Sequence, residues 1–141
     1  MSIARLDEQL CFALYAASNH LTSIYRSLLE PLDLTYTQFI VLMALWEKDD
    51  ISISQLADKA GLSKATMTPL LKRLEQKGFI LRRVLDDNER QKSVTLTEAG
   101  RQLSLQSAEI TQQAFCETTL SRQQAKDIIK MCQKIVKSKD L

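Results

Sequence analysis

Three cysteines, Cys11, Cys116 and Cys132, are the side chains in this sequence most open to covalent chemistry. Their spacing fits no zinc pattern, and the single histidine, His20, has no ligand-spaced partner, so neither a metal nor a cofactor is expected. The N-terminal MSIARLDEQL lacks the basic-then-apolar order of a secretory signal. The expected compartment is therefore the cytosol, where thiols stay free and the chemistry open to them is oxidation. Tyr15 lies four residues after Cys11 and shares its helix face, whereas Tyr25, 14 residues on, would sit roughly 21 Å further along a straight helix. By itself a lone cysteine reads as a small apolar filler; its company decides whether it is a reagent.

Charge marks a second candidate site. The formal net charge is only +2, but from Ser63 to Lys92 eight basic residues (Lys64, Lys72, Arg73, Lys77, Arg82, Arg83, Arg90, Lys92) face four acidic ones (Glu75, Asp86, Asp87, Glu89). That stretch carries +4 and the rest of the chain is net acidic, so a polyanion would be steered to this one segment.

The elements that must position these residues are mostly helices. In 141 residues, 45% apolar, there are only 3 glycines and 2 prolines, enough core for one domain and too little punctuation for a sandwich or barrel. No apolar run approaches the roughly 20 residues a bilayer span needs, so no membrane is expected. Leu6, Leu10, Leu14, Leu21, Ile24 and Leu28 recur at helical spacing and predict a long first helix from Leu6 to Leu29. Capping-box pairs (Thr35 with Gln38, Ser52 with Gln55, Ser121 with Gln124) predict three further helix starts. Gly61, Leu62 and Ser63 end one helix and cap the next, which is helix-turn-helix spelling.

The second helix of that motif, about Lys64 to Lys77, places Met67, Leu70, Leu71 and Leu74 on one face. Lys64, Ala65, Thr66, Thr68, Pro69, Lys72 and Arg73 remain on or beside the other, suited to a major groove. Pro69 predicts a kink or a late helix start. FILRRV and KSVTLT, around the polar LDDNERQ, predict a two-stranded wing with Arg90 and Lys92 near its tip and Arg82 and Arg83 placed for phosphates. Beyond Thr97 one helix is predicted to about Glu117 and another from the Ser121 cap to about Lys137. Residues of about 6–30 and 98–138 would form dimerisation helices around a winged-helix lobe of about 35–97, all in one domain of 1–141. A homodimer would set two recognition helices about one DNA turn, roughly 34 Å, apart on a pseudo-palindromic double-stranded operator.

TMTPLLKRLEQKGFILR (66–82), followed by the wing and LTEAGRQL (96–103), resembles the multiple-antibiotic-resistance regulator (MarR) family over nearly the whole chain. The family's wing carries Asp-x-Arg where this chain has Asn88, Glu89 and Arg90. LDEQLCFALYAAS (6–18) and LDLTYTQFIVLMALWE (32–47) resemble the organic hydroperoxide resistance regulator branch. The resemblance implies a repressor whose Cys11 senses organic hydroperoxides, with Tyr25 and Tyr36, joined by Tyr15, stabilising its thiolate across the dimer. It further implies Cys116 as the resolving thiol, with Cys132 in reserve, and an apolar surround of Phe12, Leu14 and Trp46. Tyr25 could reach only the other subunit's Cys11, given the helix length. A regulator released by a small aromatic ligand shares this fold; a thiol peroxidase would need a catalytic constellation that the sequence lacks. A pure scaffold is opposed by the +4 segment.

Overall fold

The computed structural model describes residues 2–85 and 88–137, with side chains left out at 84–91. All three capping boxes form. Thr35 Oγ1 accepts from the Gln38 N–H at 3.2 Å and Gln38 Oε1 from the Thr35 N–H at 3.1 Å, opening α2 (Tyr36–Glu47). Ser52 with Gln55 and Ser121 with Gln124 repeat the exchange before α3 (Ile53–Ala60) and α7 (Arg122–Lys137).

Gly61, at φ 70°, ends α3 in the left-handed region, and Ser63 Oγ accepts from the Thr66 N–H at 3.2 Å to start α4 (Lys64–Gln76). The helix-turn-helix is thus built by local chemistry. α4 begins directly after Ser63 and runs unbroken through Pro69, so the expected late start does not occur. Proline removes the donor that Ala65's carbonyl would have used, but both residues are exposed and water can serve that oxygen.

Three other expectations need correction. The first helix is split: Gln9 is extended (φ −94°, ψ 125°) and its side-chain amide donates to the Arg5 carbonyl, leaving a 3-10 turn at Leu6–Glu8 before α1 (Leu10–Leu29). The two strands of the wing, β2 (Ile80–Leu85) and β3 (Asn88–Leu96), belong to a three-stranded sheet, because Ile51–Ser52 (β1) also pairs with β3, giving the antiparallel order β1-β3-β2. These strands run closer to the tip than predicted, with a register shift between Val84 and Leu85, so Arg90 lies within β3. Finally, the helix after Thr97 is broken into α5 (Glu98–Gln102), a 3-10 turn at Leu103–Gln106 and α6 (Ser107–Glu117). Ser104 and Ser107 hydroxyls bond back to the carbonyls of Arg101 and Ser104, which favours the tighter turn.

The core lies where α2, α3, α4 and the sheet meet, around Phe39, Leu42, Leu45, Leu56, Met67, Leu71, Leu74, Ile80 and Val94. α5 locks onto it at Gly100, where any Cβ would stand 2.1 Å from the Phe79 carbonyl oxygen. Only Leu29 of α1 and no residue of α7 is buried. The chain exposes 10350 Å², against about 7,400 Å² for a folded monomer of its mass. Among the described residues no single helix is long and apolar enough to cross a membrane; α1 with its 3-10 extension to Leu32 and α2 pass together, but bent by 74°, and α2 is core.

Candidate functional site

Cys11 is the second residue of α1 and is exposed, as is Tyr15. Tyr25, near the other end of α1, stacks instead on Tyr36, the first residue of α2, with ring centroids 4.6 Å apart. Both phenols are half-buried. Burial pushes the Tyr25 hydroxyl above its usual pKa, with Tyr36 adding to the effect, and burial alone pushes Tyr36 up. Both therefore remain O–H donors through neutral pH.

The pair forms part of the wall of an apolar groove of about 610 Å³ between α1, α6 and α7, with Leu14, Phe115, Ile128 and Cys132 also in its lining. Within one chain the structure thus brings Tyr25, Tyr36 and Cys132 together and leaves Cys11 outside. Cys116, on the last turn of α6, is exposed and accepts from Gln112 Nε2 at 3.6 Å. Trp46 sits beyond the tyrosine pair: it meets Phe39, itself 6.0 Å from Tyr25, edge-on at 5.8 Å and donates from Nε1 to the Gly100 carbonyl at 3.0 Å. Its indole N–H needs a buried partner, and the root of the wing provides one.

On α4, Met67, Leu70, Leu71 and Leu74 are buried as the periodicity predicts, while Lys64, Ala65, Thr66, Thr68, Pro69, Lys72 and Arg73 are exposed. Thr66 Oγ1 meets Ser63 Oγ at 2.9 Å and Thr68 Oγ1 donates to the Lys64 carbonyl at 3.2 Å. Arg83 and Lys92 are exposed on the wing, and the Arg90 side chain lies outside the described residues. Arg82 differs from its neighbour. Its guanidinium lies on Glu75 Oε1 at 3.0 and 3.3 Å, and its backbone N–H donates to Glu75 Oε2 at 2.9 Å. Adjacent strand residues point to opposite faces, so only one of Arg82 and Arg83 can face away from α4. Arg82 is the one turned inward, and the hydrogen bonds from its side chain and backbone N–H hold the Glu75 carboxyl below the usual range, with its charge adding least.

Sequence reasoning also missed Lys77. It appears there as one more basic residue, but its ammonium is held within the chain on Gln38 Oε1 and on the carbonyl and carboxylate of the exposed Asp33. The sole hint was Gln38, a capping residue with an unused lone pair. Among the described residues, no group of three or more His, Cys, Asp or Glu side chains is placed to hold a metal.

Known proteins share this fold. The MarR family profile matches residues 34–92. The HTH-type transcriptional regulator SarZ of Staphylococcus aureus is 39% identical over 124 residues, 88% of this chain and 84% of SarZ. AbfR of Staphylococcus epidermidis has been solved reduced and bound to DNA; that structure is 32% identical, has a TM-score of 0.76 and aligns over 95% of this chain and 93% of its own. The disulfide-formed AbfR structure, 31% identical over 94% and 93%, superposes less well, at 0.66. BpsR of Bordetella bronchiseptica, 23% identical with a TM-score of 0.85 over 96% and 98%, shares the fold. With a helix-turn-helix and wing that match the family profile, and a 39% identical regulator aligned over most of its length, the chain belongs to the MarR family.

Proposed function

We propose that this protein is a cytosolic, homodimeric transcriptional repressor of the organic hydroperoxide resistance type. It binds a pseudo-palindromic double-stranded operator while Cys11 is reduced and releases it when an organic hydroperoxide oxidises Cys11. The observation that carries this reading is the Tyr25–Tyr36 pair. It offers two phenol donors kept protonated by burial, on a groove that one chain leaves open and that its own Cys11 does not line. A second copy would bring its own α1, with Cys11, to that groove. The excess of roughly 3,000 Å² of surface per chain over a compact monomer exceeds the roughly 1,000–2,500 Å² that each partner buries in an obligate dimer, so the open helices have surface enough for one.

In this reading the tyrosine hydroxyls, with Tyr15 beside them, donate to the Cys11 thiolate of the partner subunit and favour that charged form. The thiolate attacks the outer peroxide oxygen, the O–O bond breaks, and the alkoxide leaves as alcohol after taking a proton. Cys11 is left as a sulfenic acid. The Cys116 thiol of the subunit that supplies the tyrosines then displaces water from it, forming an intersubunit disulfide; Cys132, in the groove wall, is the reserve. The chain superposes better on DNA-bound AbfR, reduced or overoxidized (TM-score 0.76 for each), than on the disulfide-formed structure, which supports a binding-competent shape without the disulfide.

DNA contact falls to Lys64, Ala65, Thr66, Thr68, Pro69, Lys72 and Arg73 in the major groove and to Arg83, Arg90 and Lys92 on the wing. Arg82 we assign to aligning the wing through Glu75 rather than to phosphate. The test is peptide-mapped mass spectrometry without reductant after one equivalent of cumene hydroperoxide, with DNA release followed in parallel. A Cys11–Cys116 crosslink between subunits, and release lost in Cys11→Ser, is the expected result. Unmodified Cys11 in protein that still responds to small aromatic compounds would overturn it in favour of a ligand seated in the groove, whose apolar wall and tyrosines suit such a molecule. Consumption of many equivalents of peroxide per subunit would indicate an enzyme.

A further inference from the structure

A small polar cluster, buried at Gln38 and open to solvent at Asp33, links the turn that carries Tyr36 to the recognition helix. Lys77 caps the C-terminal end of α4, and only a quarter of its side chain is exposed. Its Nζ donates to Gln38 Oε1 at 3.0 Å and to the Asp33 carbonyl, with the Asp33 carboxylate at 3.8 Å. These acceptors belong to the turn before α2 and to its first turn. Gln38 is 3% exposed, and the same Oε1 accepts the Thr35 N–H that starts the helix. Tyr36, which stacks on Tyr25, sits between Thr35 and Gln38 on that same first turn.

We infer that Lys77 is a positioning residue that ties the C-terminal end of the recognition helix to the turn carrying Tyr36, so that displacement of the tyrosine pair is converted into a change of DNA affinity. The physical ground is that one oxygen, Gln38 Oε1, belongs to both arrangements. A first turn of α2 that moves with Tyr36 carries Lys77's acceptors with it, and the ammonium either follows, dragging α4, or loses its partners in a half-buried site. A merely structural lysine at a helix C-terminus, stabilising the dipole and its last carbonyls, would contribute to stability without linking the two positions.

This rests on the reading that the lobe binds DNA, and the test separates the two. The full-length protein and its Tyr36→Leu, Lys77→Met and doubly substituted forms are titrated with a duplex selected by the wild type from a random-sequence pool. Lys77→Met keeps the apolar stem, and Gln38 Oε1 retains its Thr35 donor, so this variant should fold. Tyr36→Phe, which keeps the ring, is carried alongside in case the leucine variant does not fold. Tyr36→Leu is expected to weaken binding about tenfold in the wild-type background and less than about twofold in Lys77→Met, with coupling restored in Lys77→Arg. Effects of the two substitutions that simply multiply, or a Tyr36→Leu protein that binds as tightly as wild type, would overturn the assignment. Amide exchange of the DNA-free proteins provides an independent readout at Gly78 and Phe79, whose N–H groups close the end of α4 on the Glu75 and Leu74 carbonyls. Tyr36→Leu should speed their exchange several-fold with Lys77 present and leave it unchanged in Lys77→Met. If no duplex is bound by any form, the regulator reading falls and exchange alone decides the role of Lys77.

Discussion

The two halves of this chain are similarly apolar and unequally finished. In the lobe, α2, α3, α4 and the sheet bury Phe39, Leu42, Leu45, Leu56, Met67, Leu71, Leu74, Ile80 and Val94 almost completely, and the helix starts have their caps. In the other half, α1 is 20 residues long and buries only Leu29, while the 16 residues of α7 bury none. Leu10, Ile129 and Val136 stand 65%, 54% and 60% exposed. One half completes its core within a single chain; the other needs a second chain. Under the proposed function, the thiol at the start of α1 would sit where two chains meet, and its oxidation would bear on how the two finished lobes are spaced.

The strongest way to break this comparison is to charge the unfinished face. Ile129→Glu with Val136→Glu places two carboxylates one above the other in the wall of the groove. Sedimentation should show a monomer at micromolar concentration, with DNA affinity down about 100-fold as the second half-site is lost. Far-ultraviolet circular dichroism should show the lobe still folded; a variant that stays dimeric would mean that α7 is not part of the seam. Gly100→Ala strikes the finished half instead. Its Cβ would collide with the Phe79 carbonyl, a backbone atom that cannot swing aside, so stability should fall by about 3 kcal/mol and the melting midpoint by about 9 °C, with the oligomeric state at constant concentration unchanged. Trp46→Phe, which keeps the ring against Phe39 but loses the donor to the Gly100 carbonyl, should lose about 1 kcal/mol by denaturant titration.

The same division sets how much could be read in advance. Caps and periodicity are local, and the lobe is built from them: Thr35, Ser52 and Ser63 start the helices that their spacing predicts, as Ser121 does for α7 in the other half, and the buried face of α4 is the expected one. The pairing of β1 with β3 was hidden because two residues carry no alternation and Ser52 already reads as a cap. The segmented stretch after Thr97 was hidden because serines that bond back to carbonyls leave apolar spacing intact. The site was legible by residue type and less so by direction. Tyr25 and Tyr36 belong together, but their stacking depends on where α2 crosses α1, 11 residues apart in sequence. Lys77 and Arg82 count as cations for DNA in any tally of charge, yet both are spent inside the chain, on the turn before α2 and on Glu75.

Arg82 gives the smallest and most discriminating test. The Glu75 carboxyl is held below its usual 4.5, first by the hydrogen bonds from the Arg82 side chain and backbone N–H. Because the folded-state value is the lower one, the stability this pair contributes is fully present above the ordinary carboxylate range and fades as pH falls from about 4.5 through the folded value. The difference in melting midpoint between wild type and Glu75→Gln should thus be flat from about pH 6 to 8 and shrink below about 4.5, and it should be small, because both side chains are partly exposed. DNA binding then separates two roles for the arginine. If Arg82 is wiring between α4 and the wing, Glu75→Gln loosens the wing and weakens binding a few-fold with no change in salt dependence. If Arg82 is a phosphate ligand held in reserve, releasing it should tighten binding and steepen the dependence of log K on log salt by about one. The first outcome keeps Arg82 in the finished interior of the lobe, and the second would move it to the surface that meets DNA.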